Sequence, residues 1–211
     1  MWNRKKLIRL ITAAFIILFM MTVITGPKTQ AASLTARNNK AHRVLKKKYN
    51  SIYRKHMDIT YKYYDVTGDG IHELLMDCYP SSSGGSGHVI YIFQAKGSKA
   101  KCILKTTEYG LERISFYKKS KSLVMSMYGH GWESHSYYKF KTGKYKCFGT
   151  KSRQSVKGGN LNNGPWYYYN GPGKNTSKAA FNKKIKGLEK GKAKFTKTSS
   201  WKYVSNPDFT W

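Results

Sequence analysis

The chain has 211 residues, of which 39 are Lys or Arg and 10 are Asp or Glu, for a formal charge of +29. A protein this basic adheres to polyanions and is excluded from cationic partners, but charge selects only the sign of a ligand and not its chemistry. Three cysteines (Cys78, Cys102, Cys147) allow at most one internal disulfide, which rules out a scaffold built on such bridges and favours no obligatory bond.

Residues 1–32 have the layout of a secretory signal peptide. A basic head (Arg4, Lys5, Lys6, Arg9) precedes an apolar run from Leu10 to Ile24, the helix breakers Gly26 and Pro27, and the small residues Ala31 and Ala32. The run is shorter than the roughly 20 residues needed to span a bilayer, so cleavage is expected instead of anchoring, with no transmembrane segment afterwards. The expected product is secreted and extracellular, either released or held to the cell envelope by its charge. It is expected to be monomeric, with about 180 residues forming one core.

Residues 33–58 read as an amphipathic helix packing on the domain. Ala41, Val44, Leu45, Tyr49, Ile52, Tyr53 and Met57 recur at helical spacing, with Arg43, Lys46, Lys47, Lys48, Arg54 and Lys55 between them. Residues 59–211 then read as a single β-rich domain. Its first half, about 59–107, offers strands on either side of an acidic loop, a PSSSGGSG connection at 80–87, and a hairpin turning near Gly97. The stretch of about 111–149 repeats that order. ELLMDCY (73–79) parallels SLVMSMY (122–128), and YIFQAKGSKAKCI (91–103) parallels YYKFKTGKYKCF (137–148), each with Lys-Cys after its turn. A period of about 45 to 50 residues is the length of one four-stranded propeller blade, but two units cannot close a ring. The expected fold is therefore α+β, mostly antiparallel β with two propeller-blade-like hairpin repeats. An N-terminal amphipathic helix and a C-terminal helix of about 177–189, capped by Ser177, complete it. One more strand is expected near Trp201.

The chemistry concentrates in YKYYDVTGDGIHELLMDCY (61–79). Asp65, Thr67, Asp69 and Glu73 stand at positions 1, 3, 5 and 9 of a D-x-T-x-D-G-x-x-E loop, with the Ile71 carbonyl as a fifth oxygen and Gly70 at the turn. Hard cations take six to eight oxygens, and alternate residues of a tight loop can supply them. Four of the ten acids (Asp65, Asp69, Glu73, Asp77) fall in this stretch, where a cation would relieve their repulsion. The same residues also suit a bare Asp-Gly turn capped by its acids. In the second repeat Lys118, Lys119 and Lys121 stand where the carboxylates would be, so no cation is expected there.

The loop resembles the calcium loops of FG-GAP and VCBS-type repeats, and more closely the YxxxDxxGDGxxELL segment of small secreted bacterial proteins. The resemblance covers 61–79 closely and reaches 148 more loosely. It implies a Ca²⁺ that staples two strands through Asp65, Asp69, Glu73, the Ile71 carbonyl and Thr67. Thr67 stands where such loops usually carry Asp or Asn, which implies weak binding, with Kd of order 10⁻⁴ to 10⁻³ M as in extracellular modules.

GHGWESH (129–135) supplies His130, Trp132, Glu133 and His135, placed in a loop between two strands. A His-Glu-His set in a basic secreted protein suits general acid–base cleavage of RNA or another hydrolysis, or a ligand contact. The first expectation for function is a secreted, cationic, calcium-stabilised module that binds anionic cell-wall polymers or acidic glycans. The alternative is a secreted nuclease or other hydrolase using His130, Glu133 and His135. Interleaved lysines and aromatics also suit single-stranded nucleic acid, although no recognised motif is present.

Overall fold

The computed structural model describes residues 33–54, 58–79, 88–108, 110–129, 131–155, 164–171 and 174–205. The signal-peptide segment, the PSSSGGSG connection, Met57 and His130 lie outside these residues. The chain forms two compact units, 1–40 and 41–211. Residues 33–40, the described part of the first, are helical, and the helical run α1 spans 33–53. Among the described residues no helix is long and apolar enough to cross a membrane.

The second unit is built from two antiparallel sheets. β1 (Asp58–Tyr64), β2 (Glu73–Tyr79), β3 (His88–Lys96) and β4 (Lys99–Glu108) form a consecutive meander. β5 (Leu111–Tyr117), β6 (Ser122–Gly129), β7 (Trp132–Lys141) and β8 (Lys144–Gln154) form another, extended by the short β9 (Tyr167–Tyr169). After α2 (Lys178–Ile185) the chain gives one strand to each sheet. β10 (Lys194–Lys197) pairs with β5, and β11 (Lys202–Ser205) pairs with β1. The strand orders are β11-β1-β2-β3-β4 and β10-β5-β6-β7-β8-β9, both open. The described residues are thus β-rich with two α-helices, as α+β anticipates.

Side-chain alternation explains the layering. In β2, Leu75 joins Ile90, Ile92 and Ile103 against Ile114, Leu123 and Met125 of the other sheet, forming the central core. Its alternate residues Leu74, Met76 and Cys78 turn the opposite way, onto Leu45 and Ile52 of α1. Both faces of β2 are therefore covered, which is why ELLMDCY is almost continuously buried. On the outer face of the second sheet, Val124 and Tyr137 receive Phe181 of α2 and Leu188 beyond it. Each such Leu or Phe contributes roughly 1.5–3 kcal/mol by leaving water.

The meanders share a detail of register. The ladder slips at Ile92/Phe93 in β3–β4 and at Tyr137/Tyr138 in β7–β8, placing Cys102 opposite Phe93 and Cys147 opposite Tyr138. These are the two Lys-Cys positions matched in the sequence. Cys78, Cys102 and Cys147 form no disulfide, and burial pushes the Cys78 thiol up to about 12, with Asp77 adding to the shift.

α2 begins where Ser177 predicts, its hydroxyl accepting the Ala180 N–H at 3.2 Å. It stops at Ile185, short of the expected 189, because Gly187 has φ +84° and Leu188 reaches the core from a turn. β10 was not anticipated. Trp132, Glu133 and His135 lie on strand β7 and not in a loop, since Glu133 and His135 pair in register with Tyr128 and Ser126 of β6.

Candidate functional site

The connection between β1 and β2 is held by its own acids. Asp65 accepts N–H groups on both oxygens, from Gly68 at 2.6 Å and from Gly70 at 3.0 Å. Asp69 accepts the Ile71 N–H at 2.8 Å. Gly68 and Gly70 have φ of +78° and +84°, a region that favours glycine, and this lets the chain curl back onto Asp65. Glu73, the first residue of β2, is fully buried. Its carboxylate accepts the Val66 N–H at 2.9 Å, the Thr67 N–H at 3.4 Å, the Thr67 hydroxyl at 3.3 Å and the Gln94 amide at 3.1 Å. From the facing sheet, the Tyr145 hydroxyl donates to the Val66 carbonyl at 3.0 Å, tying the loop across the sandwich. Burial pushes Glu73 up to about 7; the Val66 N–H and Gln94 oppose the shift, while Asp69 and Asp65 add to it.

The donor set fits a hard cation by chemistry. Three carboxylates lie within nine residues; the Asp65 oxygens and Asp69 Oδ1 each accept one N–H and keep a second lone pair, whereas each oxygen of Glu73 accepts two donors. Glu73 is buried, and among the described residues its bonded partners are Val66, Thr67 and Gln94, none of them a cation. As the side chains stand, the acids turn onto loop N–H groups, Thr67 gives its hydroxyl to Glu73, and the Ile71 side chain is buried. Among the described residues no three His, Cys, Asp or Glu side chains converge as a ready metal set.

The equivalent connection in the second sheet is the Lys118–Lys121 turn, and the two connections meet. A Cβ on Gly68 would lie 2.7 Å from Cγ of Lys118, so the lysine stem rests on the glycine backbone. On the Asp65 side a cavity of about 300 Å³ is lined by Phe116, Lys118, Lys119, Lys190, Lys192 and Lys194. On the Asp69 side one of about 390 Å³ includes Lys96, Lys121, Gln94 and Tyr145.

A second polar cluster lies on the α2 side of β6–β8. Ser126 Oγ is 3.0 Å from His135 Nδ1, and His135 Nε2 is 2.9 Å from Glu133 Oε1. Arg153 Nε donates to Glu133 Oε2 at 2.6 Å, and its Nη2 contacts the same oxygen. Trp166 covers the group: its ring lies 5.7 Å from that of His135, with Lys151 Nζ at 4.8 Å and Arg153 Cζ at 4.7 Å. Burial alone would raise Glu133, but hydrogen bonds and charge from Arg153 and His135 outweigh it and hold the carboxyl below its ordinary value. Burial lowers His135, Lys151 and Arg113 lower it further, and Glu133 works against them. Strand alternation brings Glu133 and His135 to one face and sends the half-exposed Trp132 to the other.

Sequence reasoning missed Gln94, Tyr145, Ser126, Arg153 and Trp166. None has a motif of its own; each reaches its partner through cross-strand register or sheet packing. Compared with known proteins, the chain matches no family model, no curated protein and no solved structure.

Proposed function

We propose that the protein is a secreted, cationic binding module for anionic polymers of the cell envelope, with its acidic loop serving as a calcium-supported staple between β1 and β2. One observation carries this reading: the acids of the described residues find partners within the fold, and none of those partners is a lysine. Asp58, Asp65, Asp69, Glu73, Asp77, Glu133 and Glu189 all engage hydrogen-bond partners within the fold. Among the described residues no lysine forms an ion pair with a carboxylate; the three pairs present use His88, His135 and Arg153. The lysine charge faces solvent uncompensated, which is the electrostatic footprint of polyanion binding. Secretion rests on the layout of residues 1–32.

Calcium is supported by the carboxylate spacing, by the resemblance to FG-GAP and VCBS-type loops and by the burial of Glu73 without a cationic partner. When bound, the ion would supply positive charge to Asp65, Asp69 and Glu73, while the chain itself keeps the loop curled and joined to the second sheet. The blade-like duplication draws support from the two consecutive four-stranded meanders among the described residues. They pack as two open sheets and leave no ring to close.

The hydrolase reading draws less support. Glu133 is held as an ion by Arg153, both ring nitrogens of His135 are engaged, and Ser126 is buried. The deciding experiment is calorimetric titration of the chelated mature chain with Ca²⁺, paired with a salt series of binding to isolated wall polymer. Expected are Ca²⁺ heat that disappears in Asp69→Ala, polymer binding that weakens as salt rises, and no turnover of RNA. RNA cleavage lost on His135→Ala would replace the module with an enzyme, and absence of Ca²⁺ heat at millimolar concentration would leave the loop a self-capped turn.

A further inference from the structure

We infer that the cavity of about 300 Å³ beside Asp65 is a phosphate-binding site, which engages the phosphodiester groups of a polyol-phosphate polymer through Lys118, Lys119, Lys190, Lys192 and Lys194. This rests on the polyanion-binding reading and names where on the fold, and by which ligand group, that binding occurs.

The five lysines come from three separate segments that the fold holds together. Lys118 and Lys119 belong to the β5–β6 turn, Lys190 and Lys192 to the stretch after α2, and Lys194 to β10. The first two segments are joined because the hydroxyls of Ser120 and Ser122 both donate to the Leu188 carbonyl. The third is fixed by the β10–β5 ladder, which sets Lys194 opposite Phe116 on the cavity wall. Two glycines seat the lysine stems. Lys118 lies on Gly68, and a Cβ on Gly191, where φ is +86°, would meet Lys119 Cδ at 3.2 Å. The stems are thus laid against backbone while the ammonium groups remain in solvent.

The lining also selects the ligand. Among the described residues Asp65 is its single carboxylate, and both oxygens of Asp65 are turned onto the N–H groups of Gly68 and Gly70. There is no arginine fork to match a planar carboxylate; lysine ammoniums are point charges with rotatable donors, suited to tetrahedral phosphate oxygens. The one aromatic residue in the lining, Phe116, is itself buried, so no platform exists for stacking bases. The volume is about ten times the ~30 Å³ share of one water, enough for a phosphate group and part of its linker.

The test uses the mature chain at about 0.15 M salt, titrated with short-chain inorganic polyphosphate and separately with polygalacturonate, an acidic glycan bearing carboxylates only. The variant Lys118→Gln/Lys119→Gln/Lys190→Gln/Lys192→Gln is compared with Lys46→Gln/Lys47→Gln/Lys99→Gln/Lys202→Gln, which removes the same charge from exposed positions elsewhere. Equal melting temperatures show that both fold. The first variant is expected to weaken polyphosphate binding by about tenfold or more and to flatten its salt dependence, and the second by less than about threefold. Polygalacturonate is expected to bind more weakly than polyphosphate to the unaltered chain. Equal losses in the two variants, or equal affinity for the two polymers, would overturn the site while leaving the polyanion reading intact. No binding of either polymer by the unaltered chain would overturn both.

Discussion

Among the described residues two glutamates are buried, one in each sheet, and their surroundings drive them apart. Glu73 opens β2 against neutral donors and is pushed up to about 7 by burial, whereas Glu133 on β7 meets Arg153 and is held below its ordinary range despite burial. Burial raises both carboxyls; at Glu133 the hydrogen bonds and charge of Arg153 and His135 outweigh it, and at Glu73 the Val66 N–H and Gln94 do not. In the second sheet the compensating cation is covalently part of the chain. In the first, the bonded partners of Glu73 among the described residues are neutral: the Val66 and Thr67 N–H groups, the Thr67 hydroxyl and Gln94.

The comparison breaks most visibly at Arg153. Replacing it by Met strands the Glu133 carboxylate beside His135, and the loss expected in urea denaturation is about 3–5 kcal/mol. Adding Glu133→Gln to that variant should restore a large part of it, since the unpaired charge goes too. At Glu73 the pattern differs. Ala leaves the Val66 and Thr67 N–H groups and the Gln94 amide without their acceptor and should cost about 2–3 kcal/mol. Gln, which keeps an acceptor and carries no charge, should cost well under half of that in calcium-free buffer. A large loss for Glu73→Gln would mean that the loop relies on the charge itself.

The smallest effect is in pH. His135 sits between Ser126 on β6 and Glu133 on its own strand, with Lys151 of β8 and Arg113 of β5 nearby and Trp166 above. Its folded pKa lies below its unfolded value of about 6.5, so between the two the unfolded chain binds more protons and stability falls as pH drops. Glu73, pushed up to about 7, binds more protons folded than unfolded over the same range and works the other way, so the His135 part is read as a difference: from pH 7 to pH 5 the melting temperature of His135→Gln should fall less, or rise more, than that of the unaltered chain. An unchanged slope would show that His135 takes no part in the proton balance.

Much of the fold was legible because it is written locally. ELLMDCY, SLVMSMY and the paired Lys-Cys hairpins carry strand alternation and turn chemistry within a few residues, and Ser177 marks the start of α2 by a contact three positions away. β10 was not legible because KFTK buries only Thr196, whose hydroxyl accepts the Trp201 indole N–H at 3.0 Å, and its partner β5 is some eighty residues upstream. For the same reason the acidic loop was visible as a spacing, while Tyr145, Gln94 and the lysines around it were not. They arrive through register and through the packing of one sheet on the other. Glu133 and His135 were singled out by type, but their partners Ser126 and Arg153 follow only from which residues face each other across β6, β7 and β8.

The segment 194–205 bears on how the molecule is made. β10 covers the open side of β5, Trp201 enters the central core, the Thr198 hydroxyl donates to the Leu111 carbonyl at 2.8 Å, and β11 covers the open side of β1. Both sheets stay open, with β11 and β4 outermost in one and β10 and β9 in the other. The segment therefore replaces the seven-residue edges of β1 and β5 with edges of four residues, and a short edge strand offers less template for pairing with another chain. A chain interrupted before residue 194 exposes the two longer edges and is expected to aggregate more readily.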